Sequence, residues 1–253
     1  MADFVKRNPS APTGFFACEA AGLAWLGAVD GGVSCARVVR YDDASLTLRR
    51  LSSVPPSRDS AREFGERLAV THDAGAAAFG AAPDGWRGHG FFGPMSQPLS
   101  MALTPHGSWG EFYATERLMP MAELAAPLLS ADGAKAVDAV VKRCAAGDFD
   151  TAERPVRLHG DLWSGNVMWT SDGAVLVDPA AHGGQRETDL AMLALFGCPY
   201  LVEVVDGYQS VRPLAPGWER RVGLHQLYPL LAHVVLFGGG YAHQTEAAAR
   251  GVS

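Results

Sequence analysis

The sequence predicts an α+β chain in two lobes that share a cleft: a small antiparallel-sheet lobe over residues 1–54 and a mainly helical lobe over residues 55–253. Three observations predict it. A length of 253 residues sits at the upper edge for one hydrophobic core and suits two packed lobes. Short apolar runs of strand type cluster ahead of Pro55-Pro56, which closes the first part. After that pair, apolar side chains recur at helical spacing.

Composition excludes several classes. With 48% hydrophobic and 19% charged residues, the chain can bury a sizeable core. Its 21 basic and 27 acidic residues give a net charge of −6 with no Lys/Arg run, which argues against a nucleic-acid partner bound by phosphate neutralisation. A nucleotide stays compatible, because a metal ion and a few placed cations supply charge locally. Cys18, Cys35, Cys144 and Cys198 form neither a CxxC pair nor a zinc spacing and read as idle thiols of a reducing compartment. No basic-then-apolar leader opens the chain. Its longest apolar stretch, residues 224–237, is too short for a span and carries His225, Gln226 and His233. The expectation is a cytoplasmic protein with no membrane partner.

In order, Asp3-Phe4-Val5-Lys6 reads as a strand, stopped by Pro9 and Pro12. Residues 15–26 set Phe15, Cys18, Leu23, Trp25 and Leu26 among alanines, a helix with Glu19 on it. Residues 38–41 and 46–51 read as two strands around a turn at Asp42-Asp43. Residues 57–78, with Ala61, Phe64, Leu68 and Ala69 on one face, predict an amphipathic helix that opens the second lobe. Residues 80–108 are rich in Gly, Pro, Ser and His and read as a long loop, placed where part of an acceptor pocket is expected. Trp109, Phe112 and Tyr113 begin a helix whose bulky face reads as core, and residues 134–144 form another. Residues 168–170 and 174–177 predict a hairpin around Ser171-Asp172-Gly173. Helices follow over residues 187–196, 199–208 and 218–238, the last apolar through Leu224, Leu227, Tyr228, Leu231, Val234 and Val235. His225, His233 and His243 lack a metal-ligand pattern and read as structural.

The chemistry concentrates in Leu158-His159-Gly160-Asp161-Leu162-Trp163-Ser164-Gly165-Asn166-Val167, followed by Val175-Leu176-Val177-Asp178-Pro179. Asp161 and Asn166 stand five positions apart, the spacing of the H-R-D-x-x-x-x-N catalytic loop of phosphoryl transfer. Asp178 ends an apolar strand-like run twelve positions later. In that arrangement Asp161 can take the proton of an attacking hydroxyl, while Asn166 and Asp178 offer hard oxygen ligands to Mg²⁺. Each fragment alone has a bland reading, since Gly and Asp form turns and Asp-Pro ends strands. The ordered set carries the signal.

His-Gly-Asp-Leu-Trp-Ser-Gly-Asn at 159–166, then Asp-Pro at 178–179 and Arg-Glu-Thr-Asp-Leu-Ala at 186–191, resembles the fructosamine (ketosamine) kinase family. The resemblance runs over residues 4–241 and is poorly matched over 80–108. It implies a protein-kinase-like fold shared with aminoglycoside and choline kinases, with ATP and Mg²⁺ as cofactors. It also implies that Lys6, on the first strand, pairs with Glu19 against the α and β phosphates. Alone, such a pair reads as a solvated surface contact. Arg49, Arg50 and Leu51 would form the adenine-facing strand edge. His159 and Asp189 would hold the catalytic loop, Asp189 as a buried acceptor of backbone N–H groups. Trp163, Arg186, Glu187 and Trp218 are candidates for contact with the acceptor. Gln185 stands where relatives carry His, which bears on acceptor preference if that His touches the sugar.

The resemblance implies phosphorylation of the sugar 3-hydroxyl of a ketosamine, whose adduct then breaks down to free the amine. Two alternatives stay open. An aminoglycoside- or choline-type kinase would take another acceptor, and acidic residues lining the pocket would favour a polyamine. A catalytically weak, pseudokinase-like module would lack one of Lys6, Asp161, Asn166 and Asp178, and all four are present. It is favoured only by the short run ahead of Lys6, which leaves no room for two further strands and a Gly-rich loop. The expectation from that is a start site upstream of Met1, or weak ATP affinity and a soft small lobe.

Overall fold

The structure, a computed structural model, describes residues 3–252. β1 (Asp3–Arg7), α1 (Phe15–Gly27), β2 (Ser34–Cys35), β3 (Val38–Asp42) and β4 (Ser45–Arg49) come first. β1, β4 and β3 form an antiparallel sheet in that order, with Lys6 opposite Leu46. The outer edge of β1 pairs with no strand among the described residues, and Phe4 and Val5 stand exposed there. Leu46 and Leu48 of the central strand bury against Phe16, Ala20 and Leu23 of α1, so the helix is held flat under the sheet. β2 leaves this unit and pairs in parallel with a strand near the C-terminal half, Ser34 opposite Val175.

α2 (Arg58–Asp73) begins at a reciprocal cap: Ser57 Oγ accepts from Ser60 N at 3.1 Å, and Ser60 Oγ accepts from Ser57 N at 2.9 Å. It ends five residues before the sequence-based limit. Ala74 N and Gly75 N turn back onto Val70 O and His72 O, with Gly75 at φ 72°, a left-handed stop that glycine adopts without strain. Residues 80–108 are more ordered than a loop. They hold the hairpin β5 (Gly90–Phe92) and β6 (Leu99–Met101), and Phe79 bridges to His106. α3 (Trp109–Phe112) runs through a π-helical turn, Tyr113–Leu118, into α4 (Met119–Ala125), and α5 (Ala131–Ala145) follows from a Ser130 cap.

The rest comprises β7 (Val156–Leu158), β8 (Val167–Thr170), β9 (Gly173–Leu176), β10 (His182–Gly184), α6 (Glu187–Leu195), α7 (Leu201–Val211), α8 (Trp218–Phe237) and α9 (Ala242–Val252). β8 and β9 form the expected hairpin, and β7 pairs with β10. α7 starts two residues later than the sequence suggests, after Pro199 and a left-handed Tyr200. α9 is an element the sequence reading does not contain. α2 and α7 cross closely, since a Cβ at Gly65 would lie 1.9 Å from Val204 O. That approach joins His72 of α2 to Tyr208 of α7 beneath the turn at residues 159–161. No helix among the described residues is long and apolar enough to cross a membrane.

Candidate active site

β7 delivers His159-Gly160-Asp161 to the floor of a cavity of about 410 Å³. Gly160 sits at φ 82°, and a Cβ there would stand 2.2 Å from Ala180 O, so both conformation and space exclude a side chain. The turn is clamped from below by Asp189, fully buried on the first turn of α6. Its carboxylate accepts from His159 N at 2.8 Å and from Gly160 N at 2.9 Å, and His72 Nε2 lies 3.2 Å away. Burial alone would push Asp189 up. The hydrogen bond from His72 and the facing charges outweigh it and hold the group below its usual range.

His159 ties the loop to the next one. Because a carbonyl only accepts, His159 Nε2–H donates to Val177 O (2.9 Å), and Nδ1 accepts from Asp161 N (3.2 Å). Burial lowers its pKa, which keeps that arrangement of one donor and one acceptor. Asn166 Nδ2 donates to Asp161 O at 2.8 Å and to Asp161 Oδ2 at 3.2 Å. Its amide oxygen takes no hydrogen bond among the described residues. Val177 N donates back to Asn166 O at 3.1 Å, so the two loops are laced together. Asp178 follows at φ 54°, one of two non-glycine residues in the left-handed region among the described residues. Such backbone costs energy and persists where the surroundings over-determine it.

Lys6 Nζ reaches Glu19 Oε1 of α1 at 2.7 Å and also pairs with Asp178. Burial works to lower the Lys6 ammonium, and the two carboxylates more than offset it, so its pKa is raised. Glu19 is itself pushed up by burial, with Lys6 opposing. The contact is therefore a partly desolvated ion pair rather than a solvated one. Desolvation pushes the Asp161 carboxyl up to about 7, opposed by the Asn166 N–H and reinforced by the charges of Asp178 and Asp189. A carboxylate at that value is matched to proton transfer near neutrality.

Much of the rest of the lining is apolar: Phe15 of α1, Phe91 to Met95 of β5 and the turn after it, Met192 and Phe196 at α6, and Leu236, Phe237 and Tyr241 at the end of α8. Trp163 is 40% exposed, lines this space and meets Phe196 edge-on at 6.4 Å. Glu19, Asp161 and Asp178 are the carboxylates of the lining. The hairpin residues arise from the stretch read as a loop, where no single residue could be singled out. Phe196, His233, Phe237 and Tyr241 escape the sequence reading because an apolar or aromatic position on a helix defaults to core.

Several sequence-based candidates lie elsewhere. Arg186 does not line the cavity: it is buried, its Nη2 binding Glu153 Oε1 at 2.5 Å and Pro213 O at 2.7 Å. Glu187 is buried too, held by Arg221 through Nε at 2.8 Å and Nη2 at 2.6 Å. Both are structural ion pairs at the base of α6, which corrects their placement beside the acceptor. Trp218 begins α8 packed against the cluster of Phe64, Trp169 and Leu193, away from the cavity. Gln185 precedes α6 and its amide oxygen accepts from Glu187 N at 2.5 Å. Arg49 extends to Asp3 at 3.3 Å while its N–H donates to Arg37 O, and the Arg50 guanidinium lies over Phe4. Leu51 packs on the α1 core. None of these three side chains lines the cavity.

Fold and site together define a small-molecule kinase of protein-kinase-like architecture. A solved structure of a gentamicin-bound aminoglycoside phosphotransferase shares that fold, with a TM-score of 0.60 at 12% identity over 99% of this chain and 83% of that one. The family model for fructosamine kinase matches residues 2–252. A probable ketoamine kinase of Synechocystis is 34% identical over 248 residues, 96% of this chain and 80% of that protein. A crystal structure from Thermobifida fusca, assigned as a fructosamine-3-kinase, superposes with a TM-score of 0.89 at 46% identity, covering 99% of this chain and 85% of that one. The chain belongs to the fructosamine kinase family. Membership makes it an ATP-dependent phosphotransferase that acts on a sugar hydroxyl.

Proposed function

We propose that the chain phosphorylates the 3-hydroxyl of a ketosamine, an amine-linked ketose whose phosphorylated adduct then releases the amine. The observation that carries this reading is the lining of one cavity. Lys6, Glu19, Asp161, Asn166 and Asp178 converge on it from separate stretches, and the rest of the lining is largely apolar and aromatic. Residues 1–54 serve as the nucleotide lobe and residues 55–253 as the catalytic and acceptor lobe. Asp161 takes the proton of the attacking hydroxyl. Lys6, oriented by Glu19, neutralises the α and β phosphates, with the 49–51 backbone edge toward the adenine. His159 and Asp189 hold the catalytic loop in shape, and Trp163 lies against the acceptor.

A divalent metal fits the donor set. The Asn166 amide nitrogen is spent on Asp161, which leaves its oxygen as donor, and the Asp178 carboxylate is 46% exposed at the cavity. No group of three or more His, Cys, Asp or Glu among the described residues forms a protein cage. Mg²⁺ suits that pattern, since it binds through one or two carboxylates plus substrate phosphates. When bound, it neutralises charge on the transferred phosphoryl group.

The aminoglycoside reading would draw on the three carboxylates of the lining, Glu19, Asp161 and Asp178, each contacted by Lys6 or Asn166 through one oxygen. The test is ATP consumption by the purified chain with ribulose-, erythrulose- or fructose-lysine, against kanamycin. Turnover with a ketosamine is expected. Turnover with kanamycin alone would overturn the proposal.

A further inference from the structure

Four rings form a continuous wall along the cavity. Phe196 lies 4.9 Å from His233, and His233 lies 5.2 Å from Phe237 and 5.0 Å from Tyr241. Phe237 and Tyr241 close the set at 6.2 Å. His233 and Phe237 are one helical turn apart on α8, so they present to the same side. All four line the cavity, and Phe237 is 56% exposed. Exposed aromatic surface of this kind, gathered in a concave site, marks a place for a ligand.

The imidazole adds a polar handle of known sense. His233 Nδ1 lies 2.7 Å from Pro229 O, and a carbonyl only accepts, so Nδ1 carries the hydrogen. Nε2 then bears a lone pair and has no hydrogen-bond partner among the described residues. Burial lowers the ring's pKa, which preserves that lone pair at neutral pH. A set of ring faces with one acceptor nitrogen is complementary to a cation that carries an N–H. The lining's carboxylates are each contacted within the protein, Glu19 and Asp178 by Lys6 and Asp161 by Asn166, so the rings and His233 offer a cation a place separate from them.

We propose that Phe196, His233, Phe237 and Tyr241 receive the protonated secondary amine of the acceptor, its N–H donating to His233 Nε2 and its charge resting on the ring faces. The inference rests on the ketosamine reading above and deepens it. The wall begins beside the base: Phe196 touches Trp163, two residues from Asp161. That suits an acceptor whose charged nitrogen lies a few bonds from the hydroxyl to be phosphorylated. The wall is thus a specificity element that selects amine-linked sugars over free sugars.

The experiment pairs two acceptors with four enzymes. Fructosyl-lysine carries the ammonium, and a 1-O-alkyl fructose of equal length carries a neutral ether oxygen in its place. Wild type should favour fructosyl-lysine in kcat/KM by about tenfold or more, as a partly desolvated cation–π contact allows. Phe237→Leu and His233→Leu should each raise KM for fructosyl-lysine by roughly five- to tenfold. KM for the ether and for ATP should stay within about twofold, and Phe237→Tyr should restore the wild-type value. Equal losses with both acceptors, in variants that melt like wild type, would reduce the wall to a shape filter and overturn the inference alone. Unchanged kinetics in both leucine variants would do the same. A wild-type enzyme that phosphorylates neither acceptor nor any other ketosamine would overturn the functional proposal, and the inference would fall with it.

Discussion

Asp161, Asn166 and Asp178 reach the cavity from one short stretch of chain, and hydrogen bonds fix every member. Asn166 binds Asp161, Asn166 O accepts from Val177, and Asp189 holds the turn from beneath. Phe196, His233, Phe237 and Tyr241 reach the same cavity from the ends of two helices, and packing alone sets most of their positions. Directional bonds demand particular residue types at particular offsets, so the polar side is written as a motif. Packing demands only volume and apolarity, which many sequences satisfy. The same contrast predicts how each side fails under mutation. Polar changes should be severe and specific to chemistry or folding, and aromatic changes graded and specific to the acceptor.

The largest effect is expected at Asp161, the proposed proton acceptor. Asp161→Asn should lower kcat by about 10²–10⁴-fold, the range for loss of a positioned general base. Nucleotide affinity should hold, because Lys6, Glu19 and Asp178 remain. Steady-state rates alongside a nucleotide titration check both halves. A variant that turns over near the wild-type rate, or loses nucleotide to the same degree, removes Asp161 from that role.

Asp189→Ala tests the support of the polar side. Two backbone donors, His159 N and Gly160 N, would lose their acceptor in a fully buried place. Each unpaired group costs about 1–3 kcal/mol, so the melting temperature should fall by several degrees and activity with it. Normal melting with lost activity would instead move Asp189 into the chemistry.

The sequence carried this polar side further than the rest. The five-residue offset and the later Asp-Pro singled out Asp161, Asn166 and Asp178, which the structure brings to one cavity, and the pairing of Lys6 with Glu19 followed from family resemblance. It misplaced Arg186 and Glu187, because adjacency to the Asp189 helix says nothing of which way a side chain turns. Their partners Glu153 and Arg221 lie 33 and 34 positions away, a relation no local pattern contains. His233 read as structural for the same reason. Its hydrogen bond to Pro229 is local, whereas the exposure of its other nitrogen to a cavity is a property of the assembled fold.

Glu187 offers a third, smaller test away from both walls. Burial would raise its carboxyl, but hydrogen bonds from His225 and Arg221 outweigh that and bring it down to about 2, against an ordinary value of 4.5. A carboxyl depressed in the folded state contributes stability that is present above about 4.5 and is lost as pH falls toward 2. The contribution is at most about 3 kcal/mol at neutral pH. Glu187→Gln should therefore destabilise the chain at pH 7 and flatten its stability profile below pH 4.5. Chemical denaturation across that range measures it. An unaltered acid limb would show that the Arg221 pair adds nothing.

The smallest expected effect sits where the two sides meet. Gly165 lies one residue before Asn166, and a Cβ there would stand 2.2 Å from Trp163 Cη2. The obstructing atom is the far end of a 40% exposed indole, so the ring can swing aside at little cost to folding. Gly165 is not in the left-handed region, which removes backbone strain as a second cause. Gly165→Ala should then leave the melting temperature within about a degree of wild type, as surface changes commonly do. Displacing Trp163 breaks its edge contact with Phe196 and should raise KM for the acceptor by roughly two- to fivefold, with KM for ATP unchanged. If KM for ATP rises instead, the substitution has shifted Asn166 and the two sides are mechanically one. If neither constant moves, Trp163 does not touch the acceptor, and the aromatic surface that matters is confined to the helix ends.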